Sequence, residues 1–107
     1  MHTTGQLSRR LKKAVRFLRR TYPLPMPVTI RVHKEIKELC GCVLIEENLS
    51  RALIRLAEDD EQIMCETLME EWSHIIRHLV HVPIEKEHDM IFWAIYGDVI
   101  MKYRGGE

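Results

Sequence analysis

Apolar residues recur every three or four positions at the start of the chain. Leu7, Leu11, Ala14, Val15 and Leu18 make one stripe, which predicts a helix over 6–21. Tyr22-Pro23 and the prolines at 25 and 27 end it, because a residue before proline is driven out of the helical region. The period then changes to two. Val28, Ile30 and Val32 alternate with Thr29, Arg31 and His33, the pattern of a half-buried strand. Cys42-Val43-Leu44-Ile45 is a second apolar run, and Glu46 to Ser50 reads as a turn. Ala52 to Leu56 has residues that also suit a helix, but the short turn favours a third strand in a hairpin with 42–46. A long helix is predicted over 60–81. Asp59 with Gln62 resembles a capping box, and Asp60 and Glu61 suit the positive end of the helix dipole. Pro83 ends that helix. A last helix is predicted over 85–103, with Gly105-Gly106 as its stop. Helix, three-stranded sheet over 28–57, helix and helix make an α+β class and, at 107 residues, one domain spanning 1–107.

The net charge of zero hides a strong asymmetry. Residues 1–20 carry Arg9, Arg10, Lys12, Lys13, Arg16, Arg19 and Arg20 and no acid, whereas 58–71 carry seven acids and no base. The basic stretch has no apolar block behind it, so it is not a secretory signal. No apolar run reaches membrane-spanning length either, and the expected location is the cytoplasm. Three cysteines, Cys40, Cys42 and Cys65, form neither a secreted disulfide framework nor a paired zinc knuckle; they read as free thiols packed in or near strands.

The chemistry concentrates on the long helix, at Glu70-Glu71-Trp72-Ser73-His74. At about 100° per residue, Met64, Cys65, Leu68, Met69, Trp72, Ile75, Ile76 and Leu79 fall on one half of the helix. Glu70, Glu71 and His74 fall on the other. The spacing is that of H-E-x-x-H, in which two histidines one turn apart bind zinc and the intervening glutamate is the general base. Here glutamate replaces the first histidine. Glu70 and His74 can reach one metal, and Glu71 stands beside them. A catalytic zinc takes a third protein ligand, and His88 is the expected one, brought back by a loop around Pro83.

With His88-x-x-x-Phe92-Trp93 and Tyr96-Gly97-Asp98-Val99 downstream, this segment resembles the SprT-like minimal zincin metallopeptidases. The likeness covers about residues 28–103 and is sharpest over 66–97. It implies a zincin-like fold, a Zn²⁺ ion on Glu70, His74 and His88, and Glu71 as general base for hydrolysis of a peptide or protein substrate. The chain departs from the family at Glu70. Glutamate is a legitimate zinc ligand and completes a two-histidine, one-carboxylate set, which also suits iron.

Two other readings accompany this one. The first is an inactive zincin-like binding module that has lost its metal with the missing histidine. The second is non-specific nucleic-acid association through residues 9–20, for which no base-reading motif is present. His78 and His81 extend the Glu70–His74 stripe and compete with His88 as ligands. Glu70 and His78, however, lie roughly 12 Å apart along the axis. Tyr96 and Tyr103 are candidate hydroxyl donors, with Tyr96 nearer the stripe of His88. Asp89 and Asp98 are candidate partners of a histidine N–H, with capping or surface roles favoured.

Overall fold

The computed structural model describes residues 7–37 and 39–105. The elements are α1 Arg9–Thr21, β1 Val28–His33, β2 Gly41–Ile45, β3 Ala52–Ala57, α2 Glu61–Leu79 and α3 Met90–Gly105. The fold is α+β, as the changes of hydrophobic period predict.

The strands form one mixed sheet in the order β1-β3-β2, with β1 parallel and β2 antiparallel to β3. β3 is the centre strand, and its side chains alternate strictly. Ala52, Ile54 and Leu56 are buried, while Leu53, Arg55 and Ala57 are partly open. α2 packs on β2 and β3, and α1 and α3 pack on α2, so the helices cover one face of the sheet. The core between them is built from Leu11, Leu18, Ile54, Leu56, Leu68, Met69, Trp72, Ile75 and Val99. Trp72 is buried, and its indole N–H donates to the carbonyl of Tyr22 at 3.0 Å, tying α2 to the end of α1. Gly41 marks the close approach of β2 to α2. A β-carbon there would stand 2.7 Å from Thr67 Cγ2 and 3.0 Å from the Arg55 carbonyl oxygen.

Three helix starts differ from expectation, each for a capping reason, while α2 ends at Leu79 and not 81 and α3 runs to Gly105 and not 103. α1 begins at Arg9, because the Ser8 hydroxyl accepts from the Leu11 amide; Leu7 and Ser8 precede the helix, and residue 6 lies outside the described residues. α2 is capped by Asp60, whose carboxylate accepts from the Gln62 amide, and not by Asp59, which bonds the Asp60 amide instead. α3 begins at Met90 instead of 85, because the Asp89 carboxylate accepts from the Phe92 amide at 2.8 Å. His88 therefore does not open α3. It sits on the connector, directly before the capping residue.

Candidate metal centre

α2 is helical because its apolar residues recur on one face and Asp60 satisfies an exposed amide at its start. That places Glu70 and His74 one turn apart on the side away from the sheet. This polar side is nevertheless covered in part. Glu71 and His74 are each only 7 % exposed, because the 80–89 connector and the start of α3 fold back over them.

The folding back brings three donors together. His74 Nε2 lies 3.1 Å from His88 Nε2, and His88 Nε2 lies 3.5 Å from Glu70 Oε2. One donor atom from each of Glu70, His74 and His88 falls within 4.8 Å of the others. Donors around a tetrahedral ion with bonds of about 2.0–2.1 Å stand about 3.3 Å apart, and the His74–His88 and His88–Glu70 separations lie on either side of that spacing. The donor chemistry fits too. Burial, and then neighbouring His88, lower the pKa of His74 despite an opposing pull from Glu87, which favours the neutral imidazole that a metal needs. These three residues form a group that can hold a metal ion.

Aromatic rings shape the walls. Phe92 is fully buried, with its ring centroid 4.3 Å from that of His74 and 4.6 Å from that of His88, both near parallel. Trp93 sets its edge against His88 at 5.3 Å and remains half exposed. Tyr96 stacks on Phe92 at 5.9 Å. Its phenol pKa is raised by burial and then by the negative charge of Glu70 and Glu66.

Glu71 is the most perturbed carboxyl beside the group. Burial first, and then the charges of Glu70 and Glu87, push its pKa up to about 7. A carboxyl at that value exchanges a proton readily near neutral pH, as general-base work requires. A bound cation would favour its ionised form.

The support beneath His88 was not legible in the sequence. Arg77 is 1 % exposed and lies within about 20° of Glu70 around the helix. Its guanidinium takes Asp89 in a fork, with Nε at 3.0 Å from both carboxylate oxygens and Nη2 at 2.6 Å from Oδ2. Nη1 and Nη2 also donate to the carbonyls of Val82 and Pro83 at 3.1 Å each. This network holds Asp89 well below the usual carboxylate range, at about 2, mainly through the hydrogen bonds from Arg77. One side chain thus fixes both ends of the connector, and His88 is held next to its anchored end. A lone arginine on the polar stripe was the available signal. Pairing it with an aspartate twelve residues later requires the path of the loop.

The other candidates fall outside the donor group. His78 and His81 are exposed, and neither joins it. Asp89 bonds Arg77 and caps α3 rather than orienting a histidine. Asp98 accepts from the Tyr22 hydroxyl and pairs with Lys102. None of the three cysteines is in a disulfide, and Cys40 is exposed and not packed. Cys42 lies on β2, while Cys65 is buried on α2 and not on a strand. No helix among the described residues is long and apolar enough to cross a membrane.

Compared with protein-family models, curated proteins and solved structures, the chain finds no match.

Proposed function

We propose that this chain is a zinc-dependent peptidase of the SprT-like, minimal zincin kind, with Glu70, His74 and His88 as metal ligands and Glu71 as general base. The observation that carries the reading is the convergence of two imidazole nitrogens and a carboxylate from α2 and the connector, beside a buried carboxyl poised near neutral pH. Glu70, His74 and His88 would hold the zinc ion, which would supply Lewis-acid chemistry toward a peptide carbonyl and lower the pKa of water. Glu71 takes a proton from the attacking water and returns it to the leaving amine. His74 offers its Nε2 lone pair, and its buried ring, stacked on Phe92, resists reorientation. Buried Phe92 stacks on His74, and half-exposed Trp93 sets its edge against His88. The resemblance of Glu70 to Trp93 to the zincin motif supports the same assignment, with glutamate in place of the first histidine.

The test is metal content. Tag-free protein from zinc-supplemented medium should carry about one zinc per chain, and H74A should carry none. Metal-loaded wild type should then cleave an unstructured protein such as casein, and E71Q should keep the metal and lose cleavage. A wild type that binds no metal is instead an inactive binding module. Cleavage that survives E71Q removes the general-base assignment.

A second reading rests on α1. Its apolar stripe is buried and all seven of its basic residues are exposed, so a positive helix face is turned outward. That face supports non-specific binding to nucleic-acid phosphates alongside the metal site. Binding of this kind should weaken steeply with salt and with neutralisation of Arg16, Arg19 and Arg20.

A further inference from the structure

The helices leave the second face of the sheet uncovered, and that face holds a cleft of about 530 Å³. Its chemistry differs from that of the metal centre. Strand register sets Arg31 of β1 directly opposite Arg55 of β3, and pleating sends both to the uncovered face. Adjacent strands are about 4.8 Å apart, and like charges placed directly opposite each other destabilise a sheet. An ordinary surface would interpose an acid, and here none does so. The Arg55 Nε donates at 3.2 Å to Nε2 of His33, an imidazole that orients the guanidinium without neutralising it. Among the described residues, the one carboxylate lining the cleft is Glu46, already bonded to Arg51 at 2.6 Å. Arg31 and Arg55 are thus paired neither with each other nor with the acid of the cleft. Between them and the hairpin, the floor is apolar, with Leu44 and Leu53 in register across β2 and β3.

We propose that this uncovered face is a docking site for an acidic, extended polypeptide segment, whose carboxylates take the forks of Arg31 and Arg55 and whose apolar side chains rest on Leu44 and Leu53. Charge complementarity selects an anionic partner, and guanidinium matches carboxylate in a two-point fork. The floor selects a peptide over a nucleic-acid strand. Among the described residues no Phe, Tyr or Trp lines the cleft to stack a base, and its one ring, the His33 imidazole, is engaged by Arg55, whereas aliphatic side chains suit leucine-like partners. The site stands independently of the metal reading, since it lies on the opposite face of the sheet from α2.

The experiment is fluorescence polarisation on the full chain, with a fluorescein-labelled peptide of alternating glutamate and leucine. The same peptide with glutamine for glutamate and a single-stranded oligothymidine serve as comparison probes. The acidic peptide should bind, weaken as salt rises, and lose about tenfold in affinity in R31Q and again in R55Q. The glutamine peptide should bind at least tenfold more weakly. Equal binding of the two peptides, indifference to both substitutions, or tighter binding of the oligothymidine through the same arginines would each overturn the proposal. Circular dichroism checks that the variants fold. Arg31 is exposed, so R31Q remains a fair test should R55Q disturb the sheet.

Discussion

Two polar constellations meet where α2 faces the start of α3, and they differ in how completely they are satisfied. Around Arg77, every group has a partner. Its guanidinium spends its donors on Asp89 and on the carbonyls of Val82 and Pro83, and Asp89 also caps α3. Around His74, one turn away, the arrangement is reversed. Two imidazole nitrogens and a carboxylate converge within 4.8 Å, beside a second carboxyl, with mutual contact as their main company. A satisfied network is what a fold needs to hold a loop. Converging imidazole nitrogens and a carboxylate are what a cation needs. The first constellation sets the second, since Asp89 is the residue after His88.

The sharpest way to break that comparison is to remove the anchor. R77A leaves the Asp89 carboxylate and two carbonyls without their donor and frees the connector. It should lower Tm by roughly 10 °C or more, and zinc affinity should fall with it. Unchanged thermal melting would show that the connector is held by something else. Next in size is E71Q. With metal loaded, cleavage should fall by about 10²- to 10⁴-fold while zinc stays bound.

The same variant behaves differently without metal. The pKa of Glu71 is raised in the fold, from an ordinary 4.5 to about 7, so its contribution to stability is full below about pH 4.5 and is lost as pH rises through 7. Metal-free E71Q should therefore gain on wild type as pH rises from 5 to 8, measured by denaturant titration. A constant gap would mean that Glu71 is not perturbed. H88A separates the constellations more gently. It should abolish stoichiometric zinc binding, yet change the Tm of the metal-free protein by only a few degrees, because the Arg77 network remains. The smallest effect is at acid pH. The pKa of Asp89 is depressed to about 2, so its pairing stabilises the fold above about pH 4 and is lost as pH falls through 2. The Tm difference between wild type and D89N should therefore shrink between pH 5 and pH 2.

Much of this is legible in the sequence. Period-two alternation at 28–33 and the brief polar turn at 46–50 foretold β1 and the β2–β3 hairpin, because a strand with one buried face must alternate. Glu70 and His74 were legible because helix geometry alone puts residues four apart on one face. The choice of His88 over His78 and His81 was legible by exclusion of a poor single-helix set and by resemblance. α3 starts five residues later than its pattern predicts, and α2 takes its cap from Asp60 and not Asp59. Asp59 and Asp60 both stand at the start of α2, and only the path of the chain decides which one reaches an open amide and that Asp89 caps α3.

Local order therefore came from the sequence itself: element types, the buried stripes, and the shared face of Glu70 and His74. All of these depend on spacing within one helix or strand. The tertiary structure alone decided that Glu71 and His74 are buried, that Arg77 clamps Asp89, and that Arg31 faces Arg55 on an uncovered sheet. Each of those depends on which distant segment folds across, and periodicity within a segment carries no record of that.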